Sequence, residues 1–433
     1  MDTKPFNIAI VGGGISGVTL AICLLQHNVP VTIYESAARF GEIGAGLGMG
    51  PNSVRAMGLI SPDIVAGFER CVTLNGDGNR SNWFTVRVGD QRKAGPDGVL
   101  RQKESAGLRV GDAIFEINYT NDGQAGGVHR AHFLDELLKL VPKSVQRLGK
   151  RLVDITSADG SQDAVLHFAD GTTAQHSAVI GCDGIKSRTR QILLGEDEAK
   201  PVFTGKYAYR GLIPMEKATE ILGNEIAANS QIYLGYHGHL LTYPIQKGKT
   251  MNVVAFSSCE SWTDPQWVVP TSREKMLADY EGWGATVGAV VGAMEKRDVW
   301  ALFEHAPART YYGTGPRICL LGDAAHATTP HQGAGAGMCI EDCAVLGRLI
   351  AAAAAAPDLD RAFRAYDRVR RPRTQRLVRT SREAGALYQF ELEADDLDAI
   401  QRNLARRMAW IWDADLRQDL KTALAMMLRD ERG

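Results

Sequence analysis

The chain has 433 residues, more than one ordinary domain, which predicts two closely joined folding units around a large core. Its apolar content of 45%, charged content of 23% and net charge of −1 are typical of a soluble globular protein and exclude a charge-driven nucleic-acid binder. No apolar stretch reaches the ~18 residues that a membrane-spanning helix needs, so we expect a cytoplasmic protein. We expect it to be a monomer or a homodimer.

The chain opens with a βαβ pattern. Residues 7–11 are an apolar strand-like run, residues 16–26 have helical spacing, and residues 31–35 form a second strand-like run. The first turn carries Gly12, Gly14 and Gly17, which allow a tight turn, close approach of a pyrophosphate and packing of the helix on the strand. Glu35 ends the second strand, where a carboxylate can accept hydrogen bonds from ribose hydroxyls and disfavours a 2′-phosphate. The segment predicts a dinucleotide site for FAD or NAD.

The rest of the chain divides by its patterning. Residues 1–72, 128–200 and 310–356 are predicted to form the dinucleotide-binding domain in three parts. An antiparallel or loop region at 73–127 and a mostly antiparallel β-sheet domain at 201–309 interrupt it, and helices follow over 357–433. Strands are predicted at 164–168 and 178–181 around a turn at 170–171, and at 317–322, with a helix near 272–294 and a long helix after residue 337 that ends in the alanine run 351–356.

Two side-chain clusters have structural interpretations. Cys339 and Cys343 stand four apart on a predicted helix, and we expect two buried, inert thiols; the seven cysteines contain no CxxC pair that would indicate a zinc or redox site. The arginine-rich segment 364–382 could bind phosphate or an acidic partner, but interleaved acidic residues favour a solvated helix face with ion pairs.

Two later motifs point to a family. The first contains Asp183-Gly184, and the second contains Gly322-Asp323 and continues through Pro330-His331-Gln332-Gly333 to Gly335 and Gly337. With them the chain resembles the group A flavoprotein aromatic hydroxylases, the p-hydroxybenzoate hydroxylase superfamily, and in particular the salicylate hydroxylase-like enzymes, over nearly its whole length. The fold that this resemblance implies is α/β: a Rossmann-type FAD-binding domain, a second, mostly antiparallel β-sheet substrate domain, and a C-terminal helical segment.

The resemblance implies cofactor roles. Asp183 would support FAD and nicotinamide-cofactor binding, Asp323 would contact the ribityl chain, and Arg130 would contact FAD. The amides of Gly333, Gly335 and Gly337, before a helix, would approach the flavin, and the loop from Glu42 to Gly46 would pass over it. From the residues alone, Asp323 could instead cap the next helix, and Arg130 could pair with Asp135 or Glu136 on the surface.

By the same resemblance, NADH or NADPH reduces FAD, O2 adds to the flavin at C4a, and the hydroperoxide hydroxylates a small phenolic substrate ortho to its hydroxyl. Such a pocket needs a base or a cation to favour ionised phenol. Arg210, in a probable strand, is the first candidate for holding phenolate or carboxylate, with a structural ion pair as the alternative.

Three further residues are catalytic candidates. Tyr243 could hydrogen-bond the substrate oxygen, and His239, four residues earlier on the same strand face, could face the flavin with it or simply end a strand at the surface. His331 could relay a proton, or serve structure only.

Three other functions stay open. A dearomatising hydroxylase of resorcinol-type polyketide aldehydes or ketones is favoured by Tyr243, whereas the tail around residues 387–390 and 408–413 resembles the salicylate group. A non-catalytic flavin-binding redox sensor and an amine oxidase are the alternatives from other classes. No second GxGxxG, HExxH or Walker motif indicates another cofactor domain, a zinc site or a nucleotidase.

Overall fold

The computed structural model describes residues 3–41, 46–76, 80–95, 97–100, 107–119, 125–295 and 298–429. The strands are β1 (Ile8–Val11), β2 (Val31–Tyr34), β3 (Gly46–Met49), β4 (Asn82–Val88), β5 (Ala113–Asn118), β6 (Gly126–His129), β7 (Gln146–Arg147), β8 (Leu152–Ser157), β9 (Ala164–Phe168), β10 (Thr173–His176), β11 (Ala178–Gly181), β12 (Val202–Pro214), β13 (Gln231–Gly235), β14 (Gly238–Ile245), β15 (Thr250–Ser258), β16 (Val268–Pro270), β17 (Asp298–Glu304), β18 (Tyr312–Thr314) and β19 (Arg317–Leu320). The α-helices are α1 (Ile15–Gln26), α2 (Pro51–Ile60), α3 (Pro62–Cys71), α4 (Arg130–Leu138), α5 (Arg188–Leu194), α6 (Glu196–Ala199), α7 (Met215–Leu222), α8 (Asn224–Ala227), α9 (Arg273–Asp279), α10 (Ala285–Gly292), α11 (Asp323–His326), α12 (Gly335–Ala352), α13 (Asp358–Tyr388), α14 (Leu397–Arg407), α15 (Ala409–Trp412) and α16 (Leu416–Arg429).

The first sheet has six strands in the order β18-β19-β11-β1-β2-β7, all parallel except the edge strand β18. Strands β1, β11 and β19 are buried at every position, because helices α1 and α12 lie against one face and the small β8-β9-β10 sheet packs on the other. The carboxyl ends of β1 and β2 carry the glycine turn and Glu35. The predicted Rossmann-type α/β domain is confirmed.

The second sheet has eight strands in the order β16-β17-β12-β15-β14-β13-β4-β5, antiparallel except where β13 pairs with β4. The region 73–127, predicted as a separate insertion, therefore supplies β4 and β5 to this sheet. Alternate residues of β12 face opposite sides. Tyr207 and Tyr209 pack with the core under α7, α9 and α10, whereas Ala208 and Arg210 line a cavity between the two sheets.

Three local predictions need correction. The turn at 170–171 joins β9 to β10, and β11 then enters the parallel sheet, so the turn does not connect the two predicted strands. The helix predicted near 272–294 is two helices, α9 and α10, separated at Tyr280–Gly284. Helix α12 begins at Gly335 rather than after Gly337, and it ends at Ala352, within the alanine run.

The C-terminal helices pack onto both units. Helix α13 crosses α12 and reaches the second sheet, and α15 and α16 pack beside it. The prediction of a solvated arginine face is wrong for Arg370, which is fully buried against Glu341 and Asp342 of α12. Cys339 and Cys343 are buried free thiols, as expected. In the part of the chain that the structure describes, no helix is both long and apolar enough to cross a membrane.

Candidate active site

One cavity of about 1070 Å³ lies between the two sheets. This volume is slightly larger than that of ordinary ligand cavities, which span about 300–1,000 Å³. Twelve of the fifteen predicted site residues line it: Gly12, Gly14, Glu35, Gly46, Arg130, Asp183, Arg210, Tyr243, Asp323, His331, Gly333 and Gly335. Gly17, His239 and Gly337 do not. The motifs from distant parts of the sequence therefore converge on one site.

The turn after β1 forms one end of the cavity. Gly12 has φ +107°, which disfavours any side chain, and an added Cβ would overlap the carbonyl oxygen of Cys182. Helix α1 begins after Gly14 without a side-chain cap, so its first N–H groups are available to an anion. Glu35 accepts hydrogen bonds from the backbone N–H of Gly13 at 2.8 Å and of Ala37 at 2.7 Å. These bonds orient the carboxylate beside the turn.

Asp183 and Asp323 differ in how their carboxylates are used. Asp183 accepts hydrogen bonds from Ser187 Oγ at 2.5 Å and from the backbone N–H of Thr189 at 3.0 Å, so it organises its own loop at the cavity wall. Burial raises the pKa of Asp183, although these donors oppose the shift. Asp323 is exposed at the wall, and helix α11 is capped by Gly322 without a side-chain bond. The alternative that Asp323 caps this helix is therefore wrong.

The glycines before and in helix α12, and Gly46 of β3, have different structural roles. Gly333 has φ +59° and turns the chain into α12, whose first residue is Gly335. Gly337 lies in the first turn of the helix, where an added Cβ would overlap Ser53 Oγ of α2, so a glycine here allows α12 to pack against α2. Gly46 leaves room for the Tyr243 hydroxyl, which an added Cβ would overlap. The rest of the predicted flavin loop, 42–45, lies outside the described residues.

The second sheet supplies the other wall. The cavity-facing side chains alternate along four strands: Ala208 and Arg210, Leu241 and Tyr243, Val254 and Phe256, Trp300 and Leu302. The Arg210 guanidinium lies 4.9 Å from the centroid of the Trp300 ring. Burial lowers the pKa of Arg210; Tyr243 opposes this shift and Arg130 adds to it. Among the described residues no carboxylate pairs with Arg210, so the alternative of a structural ion pair finds no support, and the wall presents a cation to any anionic ligand.

The hydroxyl and imidazole groups of the wall are uncharged. Burial raises the pKa of Tyr243 to about 12, so its hydroxyl stays protonated. Burial, with the charge of Lys206, lowers the pKa of His331 to about 3, so this imidazole is neutral at physiological pH. His331 packs against Gly385 of α13, where an added Cβ would come to 2.5 Å from the ring.

His239 and His326 lie behind the wall. His239 shares a sheet face with Tyr243 but is fully buried, stacked on Phe256 with ring centroids 4.1 Å apart. The prediction that His239 faces the cavity beside Tyr243 is wrong, because the rings of Phe256 and His331 fill the space. His326 is buried, with Nε2 2.6 Å from Asp342 Oδ2, and is structural.

The chain matches two known protein families and is similar to characterised relatives over most of its length. The family described as FAD binding domain matches residues 145–381, and an NAD(P)-binding Rossmann-like domain matches residues 10–45. The chain is 40% identical to 6-methylsalicylate 1-monooxygenase atA of Aspergillus terreus, over 96% of this chain and 91% of that protein. It is 36% identical to a salicylate hydroxylase of Pseudomonas putida, over 98% and 95%. The chain belongs to the salicylate hydroxylase-like FAD-dependent monooxygenases.

A solved structure agrees with this assignment. The monooxygenase superimposes on a salicylate hydroxylase in a substrate complex with a TM-score of 0.83 and 32% identity, over 97% of this chain and 98% of that one. The same whole-chain fold therefore holds a substrate in a relative.

The cavity of the monooxygenase fits FAD. Gly12 and Gly14 form a cradle that side chains would fill, the start of α1 offers N–H groups for a pyrophosphate, and Glu35 stands where a ribose would lie. At the far end, Asp323 has an exposed carboxylate, and helix α12 begins without a side-chain cap. We propose that these groups, with Arg130, hold the cofactor.

Substitution of Gly17 tests whether the glycine turn after β1 holds FAD. An added Cβ would overlap the carbonyl oxygen of Gly12, so the G17A substitution should push α1 away from the cradle and abolish or severely weaken FAD binding. The measurement is flavin content by absorbance after purification and FAD titration of the apoprotein. The matched control is Gly288→Ala in α10, where an added Cβ meets nothing within 4 Å. Full flavin occupancy in G17A would contradict the prediction.

Buried histidines predict acid sensitivity. Burial lowers the pKa of His176 to about 4 and that of His305 and His331 to about 3, and it lowers the pKa of His239 well below its usual value. The pKa of each of these histidines is lower in the folded protein than in the unfolded chain. The free energy of unfolding is therefore highest above about pH 6.5 and decreases as the pH falls from there toward 3. Each histidine adds a slope of up to about 1.4 kcal/mol per pH unit.

Urea denaturation between pH 8 and pH 5 measures this loss. We expect constant stability above pH 6.5 and a steep decline below it, and a shallower decline for His176→Gln, which removes one buried imidazole. His237→Gln, at an exposed position, is the control. Equal stability at pH 7 and pH 5 would show that the buried histidines do not govern the acid limb.

Sequence reasoning missed three residues of the site region. Trp300 lines the cavity beside Arg210, and Lys206 and Gln389 lie behind His331. Lys206 stands four residues before Arg210 on β12, so its even spacing was an available signal that both share one face. Nothing in the sequence indicates that Gln389, at the end of α13, reaches the second sheet.

Proposed function

We propose that this monooxygenase hydroxylates a small phenolic acid of the salicylate type at the ring carbon that bears the carboxylate, ortho to the hydroxyl, so that carbon dioxide leaves. The observation that carries the proposal is Arg210, a cation in an aromatic and apolar wall that pairs with no carboxylate among the described residues. An anionic substrate would satisfy it. The printed names of relatives, 6-methylsalicylate 1-monooxygenase and salicylate hydroxylase, support this substrate class.

Bound FAD supplies hydride acceptance from NADH or NADPH and the activation of O2. The protein contributes placement and electrostatics. Arg210 holds the carboxylate or phenolate, and Arg130, which also lines the cavity, adds positive potential. Tyr243, protonated at neutral pH, donates a hydrogen bond to a substrate oxygen, and neutral His331 accepts a hydrogen bond from the phenol hydroxyl. The walls of Trp300, Leu302 and Phe256 keep water from the ring.

The overall reaction balances. The phenolic acid anion, NAD(P)H, O2 and two protons give the diphenol, carbon dioxide, NAD(P)+ and water. One oxygen atom enters the ring, and the other leaves as water.

The test is NADH and NADPH oxidation by the purified holoenzyme under air, with salicylate and 6-methylsalicylate, followed by mass spectrometry of the products. A product that has gained one oxygen and lost carbon dioxide is expected. A second candidate, dearomatising hydroxylation of a resorcinol-type aldehyde or ketone, is favoured by Tyr243, which could bind a phenolate beside Arg210. Turnover of 2,4-dihydroxybenzaldehydes alone, with carbon retained, would replace the proposal with that candidate.

A further inference from the structure

A buried polar network lies behind His331, on the side away from the cavity. It begins at Lys206 of β12, which is only 7% exposed. The ammonium group contacts Gln389 Oε1, Glu391 Oε2 at 2.7 Å and Ser258 Oγ at 3.3 Å. A lysine ammonium has three donors and no acceptor, so all three contacts use oxygen acceptors.

This geometry determines the orientation of the Gln389 amide. Its oxygen receives hydrogen bonds from Lys206 and from Ser258 Oγ at 3.0 Å, and both of these groups act as donors. The amide nitrogen must therefore face the other way, where it lies 3.1 Å from His239 Nδ1. Since the amide nitrogen can only donate, His239 Nδ1 is an acceptor.

A neutral His239 then carries its proton on Nε2. Burial, with the nearby His331 and Lys206, lowers the pKa of His239 well below its usual value, so the ring is neutral. The ring is held in place by stacking on Phe256, at an interplanar angle of 8°. Within the described chain, His239 Nε2 and both nitrogens of His331 have no hydrogen-bond partner, and the two imidazole centroids lie 5.1 Å apart. Tyr388 borders the pair, 5.2 Å from His239.

We propose that Lys206 and Gln389 are positioning residues: Lys206 orients the Gln389 amide, and Gln389 fixes His239 in the tautomer protonated at Nε2, which supports His331 at the cavity wall. This inference rests on the proposed role of His331 as acceptor of a hydrogen bond from the phenol. Neither Lys206 nor Gln389 lines the cavity, so both act through the histidines.

The tautomer can be measured without turnover. Nitrogen-15 NMR of the histidine-labelled holoenzyme, with His239 assigned by the signals that His239→Gln removes, should show an unprotonated Nδ1 and a protonated Nε2. In Gln389→Glu the amide donor becomes an acceptor, and the proton of His239 should move to Nδ1. Lys206→Met, a second variant should Q389E not fold, should release the amide and give a mixture of tautomers. Gln401→Glu, at an exposed position of α14, is the matched control.

Steady-state kinetics of Q389E tests whether the tautomer of His239 affects the reaction. We expect kcat of Q389E to fall tenfold or more at unchanged FAD content and unchanged reduction of FAD by NAD(P)H. A wild-type His239 protonated at Nδ1, or a tautomer that Q389E leaves unchanged, would overturn the assignment of Gln389. A reversed tautomer with unchanged kcat would overturn its link to catalysis. If the wild-type tautomer is as stated but no phenol is oxidised, the proposed function fails and the positioning of His239 stands.

Discussion

Replacing Arg210 by glutamine should lower kcat/KM for a salicylate-type substrate by about two to four powers of ten. Removal of one partner from a buried ion pair costs about 3–5 kcal/mol, and each 1.36 kcal/mol is a factor of about ten in rate. Because Arg210 pairs with no carboxylate among the described residues, the substrate is its expected partner. Steady-state kinetics with salicylate or 6-methylsalicylate measures the effect, and Arg210→Lys should retain part of the activity because it keeps the charge without the planar donors.

Two controls separate substrate binding from damage to the cofactor site. R210Q should keep its FAD content and its slow oxidation of NAD(P)H without substrate, since Gly12 and Glu35 follow strands of the first sheet and Arg210 lies on the second. Arg309→Gln removes a surface pair with Glu198 and should leave kcat/KM unchanged. A phenolic acid that R210Q turns over at the wild-type rate would refute the proposed anion site.

Substitution of Arg370 by methionine should destabilise the protein by about 3–5 kcal/mol, because it would leave the buried Asp342 with His326 as its one remaining ion-pair partner among the described residues, while Glu341 keeps Arg373. Arg370 donates to Asp342 at 2.7 Å and lies 2.8 Å from Glu341, and all three side chains are almost fully buried. Burial opposes the charge of Arg370, but Glu341 and Asp342 raise its pKa above the ordinary value. The free energy of unfolding in urea, measured with FAD bound and removed, tests this.

Arg379→Met is the matched control for this prediction. Arg379 pairs with Glu383 across one turn of α13 and is 71% exposed, so its loss should cost less than about 1 kcal/mol. If R370M and R379M were equally stable, the buried pair would contribute no more than a surface one.

Local patterns predicted the cofactor half of the molecule well. Strands β9 and β11 begin and end where the sequence indicates, and β1 and α1 differ by one residue, since apolar runs and glycine turns are signals within a few residues. The eight-stranded sheet was harder to predict. Pairing of β4 with β13 joins segments far apart in the chain, and no local period records that contact. The split between α9 and α10 was hidden by continuous helical spacing.

In the candidate site, too, residues in local motifs were predicted well, and residues whose position depends on distant packing were not. Residues in sequence motifs, such as Asp323 and Gly335, line the cavity as expected, and so do Arg210 and Tyr243 on the sheet. His239 does not line the cavity, because whether a strand residue faces open space depends on the size of its neighbours, here Phe256 and His331. Arg370 was misread because its charge partners, Glu341 and Asp342, lie on α12, which no pattern within helix α13 can reveal.

The position of helix α13 downstream of the cofactor and substrate motifs affects the order in which the protein can fold during synthesis. It carries Arg370, which neutralises the carboxylates of α12, and Gly385, against which His331 packs, while Gln389 follows at its C-terminal end. Every cofactor and substrate motif lies upstream of this helix. As the chain leaves the ribosome, the N-terminal segments emerge first, and the two sheets can form before the helix that braces them exists. The finished cavity must await helix α13, so FAD can be bound in its final geometry only after this helix has been synthesised.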